Sequence, residues 1–117
     1  MSYIDGVVLA VPESGKEAYK VYAETTAAVF RDNGAVRLMD CWGDDVPEGK
    51  LTSFPMAVKL EPGEVVVLSW IEWPSKAVRD AAWEKIMKDP RLTGPGRQMP
   101  FDGKRMIYGG FSVLLDH

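Results

Sequence analysis

The chain has 117 residues and a formal net charge of −3, with 46% hydrophobic and 26% charged residues. These values predict one globular domain over residues 1–117 and exclude a disordered or fibrous protein. The acidic balance argues against nucleic-acid binding, which usually needs a clustered basic surface. No apolar run approaches the ~18 residues of a membrane span, so no membrane association is expected. The first residues lack a signal-peptide pattern, and the single cysteine, Cys41, cannot form an internal disulfide, which together predict a cytoplasmic protein.

The first part of the chain predicts a strand, a helix and a second strand. Residues 3–11 form a short β-branched run that stops at a proline, which is typical of a strand. Ser14 and Glu17 have the spacing of a capping box, and apolar residues recur at helical spacing over residues 17–32. Residues 35–42 are again rich in apolar and aromatic side chains and predict the second strand.

The remainder of the chain predicts two further strands and one helix. In order, the elements are an interrupted extended piece over 52–59, a strand over 64–73, a helix capped by Ser75 that ends near Asp89, a long loop over 91–104 and a strand over 106–115. The order strand, helix, strand, strand, helix, strand is that of the ferredoxin-like arrangement. The sequence therefore predicts an α+β fold with an antiparallel four-stranded sheet.

The strands are apolar on both faces. Over residues 64–73, Val66, Leu68 and Trp70 alternate with Val65, Val67, Ile71 and Trp73. Two helices cover only one face of such a sheet, and an uncovered apolar face promotes association. A second copy of the chain would cover the other face and form a dimeric α+β barrel with a two-fold axis. The alternative is a monomer whose 91–104 loop folds over the open face.

Three carboxylates interrupt the apolar strands: Asp5, Asp40 and Glu72. Inside a barrel, desolvation would raise the pKa of such a group and suit it to proton transfer. The alternative is that each acid lies near a strand end or pairs with a basic residue, namely Arg37, Lys59 or Arg105. The strand register decides between these interpretations, and the sequence does not specify it.

The sequence predicts neither a metal site nor a cofactor. One histidine, His117 at the final position, and one cysteine are too few for the usual zinc sites. Cys41 has no neighbouring base that would make it a nucleophile, so it is interpreted as a packing residue. The four tryptophans could line a pocket for a flat ligand or anchor the core and a dimer interface.

Several segments carry a resemblance to a known family. They are 41–47 (CWGDDVP), 52–58 (TSFPMAV), 69–71 with 73–76 (SWI and WPSK) and 99–111 (MPFDGKRMIYGGF). Over essentially its whole length the chain resembles the YbaA-like family of small bacterial proteins of unknown function. The resemblance implies a dimeric α+β barrel but brings no catalytic residues. The wider superfamily includes cofactor-free monooxygenases, haem-degrading and chlorite-decomposing enzymes and small isomerases. Its haem-handling members typically use a histidine, and this chain has no internal one.

Two hypotheses of function follow. The first is an enzyme of cofactor-free monooxygenase or isomerase type that acts on a small organic molecule between the sheet and the helices or in the barrel. Asp40 or Glu72 would then be the proton acceptor, and the candidate ligand-binding residues are Trp42, Trp70, Tyr108 and Arg105. The second is a non-catalytic homodimer that binds a metabolite or a protein partner, because the sequence shows no recognisable nucleophile–base pair or metal-ligand set.

Overall fold

A computed structural model of the chain describes residues 2–94 and 98–117. Its elements in chain order are the strand β1 (Tyr3–Pro12), a 3-10 turn (Glu13–Gly15), the helix α1 (Lys16–Asp32), the strand β2 (Arg37–Trp42), the short helix α2 (Phe54–Ala57), the strand β3 (Glu64–Trp73), the helix α3 (Lys76–Ile86), the short helix α4 (Pro90–Thr93), a second 3-10 turn (Gly103–Arg105) and the strand β4 (Ile107–Ser112). The strands pair antiparallel in the order β2-β3-β1-β4. The predicted ferredoxin-like α+β fold is confirmed.

The two main helices begin differently. Ser75 caps α3 as predicted, since its Oγ accepts a hydrogen bond from the backbone N–H of Val78 at 3.2 Å. The capping box predicted at Ser14 is wrong. Ser14 lies within the 3-10 turn that leads into α1, and the residue before the helix, Gly15, provides no side-chain cap. Ser14 therefore lies one residue before the N-cap position of α1, and its hydroxyl does not cap the helix.

The extended piece predicted over 52–59 is also wrong, because this segment contains the helix α2. Ser53 caps it, with Oγ accepting from the N–H of Met56 at 3.1 Å, and Pro55 lies in the first turn. Proline is well tolerated there, since the first turn of a helix does not use its N–H groups internally. Pro55 thus helps to begin a helix rather than interrupting a strand.

The segment predicted as a loop over 91–104 is partly ordered into turns. Asp89 caps α4, and the second 3-10 turn ends at Arg105; residues 95–97 lie outside the described part of the chain. Leu92 and Phe101 pack into clusters on the helix-bearing side of the sheet. The monomer hypothesis required this segment to cover the opposite face of the sheet. The described parts of the segment do not do so.

Both edge strands are shorter than predicted. The N–H of Ala35 donates to the carbonyl of Phe30 at 3.1 Å, so this residue belongs to the turn that follows α1, and β2 begins at Arg37. At the other edge, pairing with β1 stops at Ser112 because its partner is Tyr3, the first residue of β1. An edge strand can extend only as far as the neighbour with which it pairs.

The two faces of the sheet are covered very differently. The helix-facing side holds two packed clusters, one around Phe30, Trp73 and Ile86 and one around Leu9 and Val67. We call the opposite side the open face. Its residues on β1 and β3 alternate with the helix-facing ones and include Ile4, Val8, Ala10, Val66, Leu68, Trp70 and Glu72.

The segment that follows α2 covers one end of the open face. There Val58 is fully buried against Ala10 and Val66, with Val8 and Leu60 beside them. Other open-face side chains stay accessible, among them Leu68 at 41%, Ile107 at 43% and Phe111 at 59% exposed. The chain by itself thus leaves apolar sheet surface in contact with water.

A buried carboxylate ties α3 to the sheet. Asp5 on β1 is only 4% exposed. Its Oδ2 accepts hydrogen bonds from the indole N–H groups of Trp73 at 2.9 Å and Trp83 at 3.1 Å, and its Oδ1 accepts one from a terminal nitrogen of Arg79 at 2.8 Å. The hydrogen bonds to Asp5 raise the pKa of Arg79 above its ordinary value, so the guanidinium stays charged. Asp5 therefore pairs with Arg79 and not with the basic residues expected from the sequence.

We expect Asp5→Ala to lower the free energy of unfolding by about 3 kcal/mol, because it leaves a partly buried guanidinium and two indole N–H groups without their acceptor. Urea denaturation at pH 7 measures this loss. The matched control is Asp80→Ala, which removes a 47% exposed carboxylate that contacts the same Arg79 at 2.9 Å. Asp80→Ala should lower the free energy of unfolding by clearly less than Asp5→Ala does, because solvent screens exposed ion pairs. Equal losses for the two variants would contradict a structural role specific to Asp5.

Candidate functional site

A cavity of about 680 Å³ lies between the helix-facing side of the sheet and the helices. It lies between the two packed clusters, where α1 and α3 do not cover the middle of the sheet. Its lining is mostly apolar and aromatic; α1 contributes Tyr19, Tyr22, Ala23, Thr26 and Phe30, and α3 contributes Arg79, Asp80, Trp83 and Ile86. Met87, Leu92, Thr93, Phe101 and Met106 complete the wall.

One row of side chains crosses the floor of this cavity from edge to edge of the sheet. The register pairs Asp40 on β2 with Ser69 on β3, Ser69 with Val7 on β1, and Val7 with Tyr108 on β4. All four residues line the cavity. Neighbouring strands lie about 4.8 Å apart, so the row places a carboxylate at one edge and a phenol at the other, with a serine hydroxyl between them.

Tyr19 fixes the carboxylate at the β2 edge. Its hydroxyl donates a hydrogen bond to Oδ1 of Asp40 at 2.9 Å. Burial, followed by the charge of Asp40 and this hydrogen bond, raises the pKa of Tyr19 above its ordinary value of 10.0. At neutral pH Tyr19 is therefore an uncharged donor. In the described part of the chain, Oδ2 of Asp40 accepts no hydrogen bond and the carboxylate forms no ion pair.

Three aromatic rings stand beside this carboxylate. Phe101 meets the ring of Tyr22 edge-on, with centroids 5.3 Å apart, and lies 6.0 Å from the ring of Tyr19. The rings of Tyr19 and Tyr22 are stacked at 6.4 Å. Phe101 comes from the segment before β4, about 80 residues away in the chain, which is why sequence reasoning missed this cluster. The motif at 99–111 pointed to the segment but not to its contact.

The candidate residues named from the sequence lie in different parts of the structure. Asp40 and Tyr108 line the cavity at opposite edges of the sheet, and both side chains are exposed there. Glu72 and Trp70 lie on the open face, where Glu72 is paired in register with Arg37 and the Arg37 guanidinium lies 5.6 Å from the Trp70 ring centroid. The structure therefore does not bring Glu72 and Asp40 together.

Trp42 and Arg105 have packing and anchoring contacts instead of places in the cavity wall. Trp42 packs beside the Leu9 cluster with the Lys16 ammonium 5.4 Å from its ring centroid. Arg105 forms two hydrogen bonds to the carboxylate of Glu64, at 2.6 and 2.7 Å, and one to the carbonyl of Lys59 at 3.0 Å. These bonds hold the segment that brings Phe101 and Met106 to the cavity.

A second depression, of about 730 Å³, lies among the turns around residues 43–49 and 55–66. It shares no lining residue with the cavity, and none of the candidate residues named from the sequence lines it. Among the described residues, no group of three or more histidine, cysteine, aspartate or glutamate side chains is arranged to hold a metal ion.

None of the helices in the described ranges has the length and apolar character needed to cross a lipid bilayer.

The strand order and the cavity define a ferredoxin-like α+β protein. A family model described as "Protein of unknown function (DUF1428)" matches residues 2–103, and the chain belongs to this family. It is 57% identical over 116 residues to the uncharacterised protein YbaA of Escherichia coli K12, covering 99% of both chains, and equally similar to YbaA of Shigella flexneri. The family inferred from the sequence motifs is thereby confirmed.

Solved structures show the same fold at low sequence identity. A dimeric ferredoxin-like protein from an uncultured marine organism superposes with a TM-score of 0.60 at 10% identity, covering 100% of both chains. A mutant of MhuD with two manganese protoporphyrin IX molecules bound per active site gives 0.58 at 15% identity, covering 100% of this chain and 98% of that one.

Because Arg105 is anchored by the carboxylate of Glu64, the free energy of unfolding should decrease at acid pH. The hydrogen bonds from Arg105 hold the pKa of Glu64 below its ordinary value of 4.5. The resulting stabilisation is complete above that value and is lost as the pH falls through the lowered pKa. Glu64→Gln should therefore be less stable than the wild type at pH 7, with the difference shrinking below pH 4.5. Chemical denaturation at a series of pH values measures it.

Glu61→Gln is the matched control, because the Glu61 carboxylate lies 3.9 Å from Arg105 and is 64% exposed. Its stability should follow that of the wild type at every pH. If Glu64→Gln also followed the wild type, Arg105 would not anchor the segment through Glu64.

Proposed function

We propose that this protein binds a small, mostly apolar organic molecule in the cavity between the sheet and the helices, with Asp40 as the group that accepts a proton or a hydrogen bond from it. The observation that carries this proposal is the row from Asp40 to Tyr108 across the cavity floor. It places a few polar groups in a mostly apolar chamber, the composition typical of small-molecule sites.

The size of the chamber supports this proposal. About 680 Å³ falls within the range of roughly 300–1,000 Å³ typical of ligand sites. In the MhuD structure, a protein of the same fold holds two manganese porphyrins per active site. The single histidine of the present chain, His117, does not line the cavity, so the described lining offers no imidazole to the metal of a porphyrin.

Asp40 supports a chemical role for the site as well. Tyr19 donates to Oδ1 and so restricts the orientation of the carboxylate, while Oδ2 accepts no hydrogen bond from the described part of the chain. A carboxylate held in this way can accept a proton from a substrate hydroxyl or an acidic C–H bond. This supports the cofactor-free monooxygenase- or isomerase-type hypothesis. Binding without chemistry is the second candidate, favoured by the lack of a second unpaired acid beside Asp40 among the described lining residues.

We also propose that the protein is a homodimer that pairs through the open face. The exposed apolar side chains on this face lie on β3 and β4, on either side of β1, and Arg37 and Glu72 add a pair of opposite charges on β2 and β3. A two-fold axis makes such a surface self-complementary. The dimeric ferredoxin-like protein with a TM-score of 0.60 supports this assembly.

The cavity proposal predicts that a neutral apolar dye, 1-N-phenylnaphthylamine, binds and gains fluorescence. Ala23→Phe fills the chamber from α1 and should weaken binding at least about tenfold. Ala18→Phe, at an exposed position of the same helix, is the matched control and should bind like the wild type. Melting temperatures of both variants verify folding.

A measurement on the wild-type protein tests the proposal even if a variant fails to fold. The dye should shift the indole N–H resonance of Trp83, which lines the cavity, and not that of Trp70 on the open face. Undiminished binding to a folded Ala23→Phe variant, or a shift confined to Trp70, would contradict the proposal.

The dimer proposal predicts a sedimentation mass of two chains at micromolar concentration. Leu68→Asp places a charge in the centre of the open face and should give single chains, because an unpaired charge is costly in an apolar interface. Val21→Asp is the control, since Val21 is 64% exposed on α1, and this variant should remain dimeric. A stable single chain for the wild type would refute the assembly.

A further inference from the structure

We propose that two copies of the chain pair through the open face about a two-fold axis that runs across the strands, so that the segment around α2 of each copy lies on the uncovered end of the other sheet. The inference rests on the proposed homodimer. It goes beyond that proposal because it assigns the direction of pairing and the residues that meet.

The open face has a thick end and a bare end. At the thick end, Val58 packs on Ala10 and Val66, and the segment 51–60 that carries it lies above the sheet. The bare end is the row of residues that the strand register brings side by side at the other end, namely Arg37, Glu72, Ile4 and Phe111. Phe111 is 59% exposed there. The open face is therefore stepped, with its raised part at one end of the strands.

This step limits how two copies can meet face to face. The two-fold axis between two facing sheets runs either along the strands or across them. An axis along the strands would bring the two thick ends together, and the raised segments would hold the other apolar residues apart. An axis across the strands places each thick end on the bare end of the partner, so that both sheets stay in contact. Since the core of a stable interface is packed as closely as a protein interior, the step favours the second arrangement.

The open face is hollow next to its bare end. Gly6 and Gly109 are paired in register on this face and have no side chains. The ring of Phe111 lies beside this pair, because a Cβ atom added to Gly6 would lie 3.3 Å from its Cε1. The thick end presents exposed apolar side chains, among them Leu51 at 99% and Phe54 at 50% exposed. An apolar protrusion of one copy would thus meet an apolar recess of the other.

The charges at the two ends of β2 complement each other in this arrangement. Leu68, paired with Cys41, lies in the row between the thick and bare ends, so the axis would cross there. Arg37 lies four residues before Cys41, and Asp45 lies four residues after it; both are exposed. The axis therefore brings Arg37 of each copy opposite Asp45 of the other, and it does so twice. Opposite charges placed in this way fix the register of an interface.

Cross-linking tests the direction of pairing. Arg37→Cys and Asp45→Cys, each combined with Cys41→Ser, are unfolded together, refolded and treated with a bismaleimide that spans about 10 Å, the distance between packed sheets. We expect covalent pairs of the two different chains. Each variant alone should give few pairs, because its two thiols would lie about 26 Å apart, or eight residues at about 3.3 Å each.

Charge reversal tests the contact itself. Asp45→Lys should raise the dissociation constant of the homodimer at least about tenfold in sedimentation experiments, because two attractive pairs become repulsive. Arg37→Asp in the same chain should restore most of the affinity. Glu84→Lys is the matched control, since it makes the same change of charge at an exposed position of α3, on the helical side, and should leave the dissociation constant unchanged.

The outcomes distinguish this inference from the homodimer on which it rests. An axis along the strands would instead bring β2 opposite β4, and Arg37→Cys would then cross-link to Phe111→Cys. That result, the lack of a cross-link between positions 37 and 45, or an unchanged dissociation constant in Asp45→Lys overturns the assigned direction. If Leu68→Asp still gives single chains in any of these cases, the open-face homodimer remains. A single-chain mass for the wild type, or a Leu68→Asp variant that stays dimeric, makes both proposals fall.

Discussion

The structure depends on a carboxylate that is removed from water. Asp5 lies on the central strand β1 and is satisfied by two indole N–H groups and the guanidinium of Arg79. Because a buried carboxylate is costly unless its oxygens are bonded, these contacts fix α3 and its tryptophan over one end of the sheet. The Phe30 ring packs against Trp73 and Trp83 at 6.0 and 5.2 Å and brings α1 to the same end. These contacts hold α1 and α3 at this end of the sheet, and the cavity lies next to it.

The two faces of the sheet are covered by different parts of the chain. The helix-facing side is packed at both ends, and a cavity that is partly open to solvent lies between them. The open face is sealed at one end by Val58 and is otherwise an accessible apolar surface. If two chains pair there, the ligand site of each chain remains on its outer, helical side. Assembly and binding would then use opposite faces of the same four strands, and a change on one face would leave the other largely intact.

Most charged groups of the described cavity lining pair with one another. Each charged group of the described lining has an oppositely charged partner among the described residues except Asp40, which accepts a hydrogen bond from the phenol of Tyr19. A neutral donor orients a carboxylate without pairing it with a positive charge. Arg105 acts at a distance from the cavity: through Glu64 it holds the segment that carries Phe101.

The sequence by itself determined the order of the elements, the two apolar faces of the strands and the cap at Ser75, because these follow from local periodicity and local hydrogen bonding. It misplaced the cap at Ser14 and the segment around Pro55, where turn geometry decides the outcome. Only the tertiary structure decided which acids belong together. Side chains alternate along a strand, but pairing between strands sets which residues share a row. The register placed Asp40 with Ser69 and Tyr108 above the sheet and Glu72 below it. Phe101 joined Tyr19 through packing between distant segments, which no local pattern encodes.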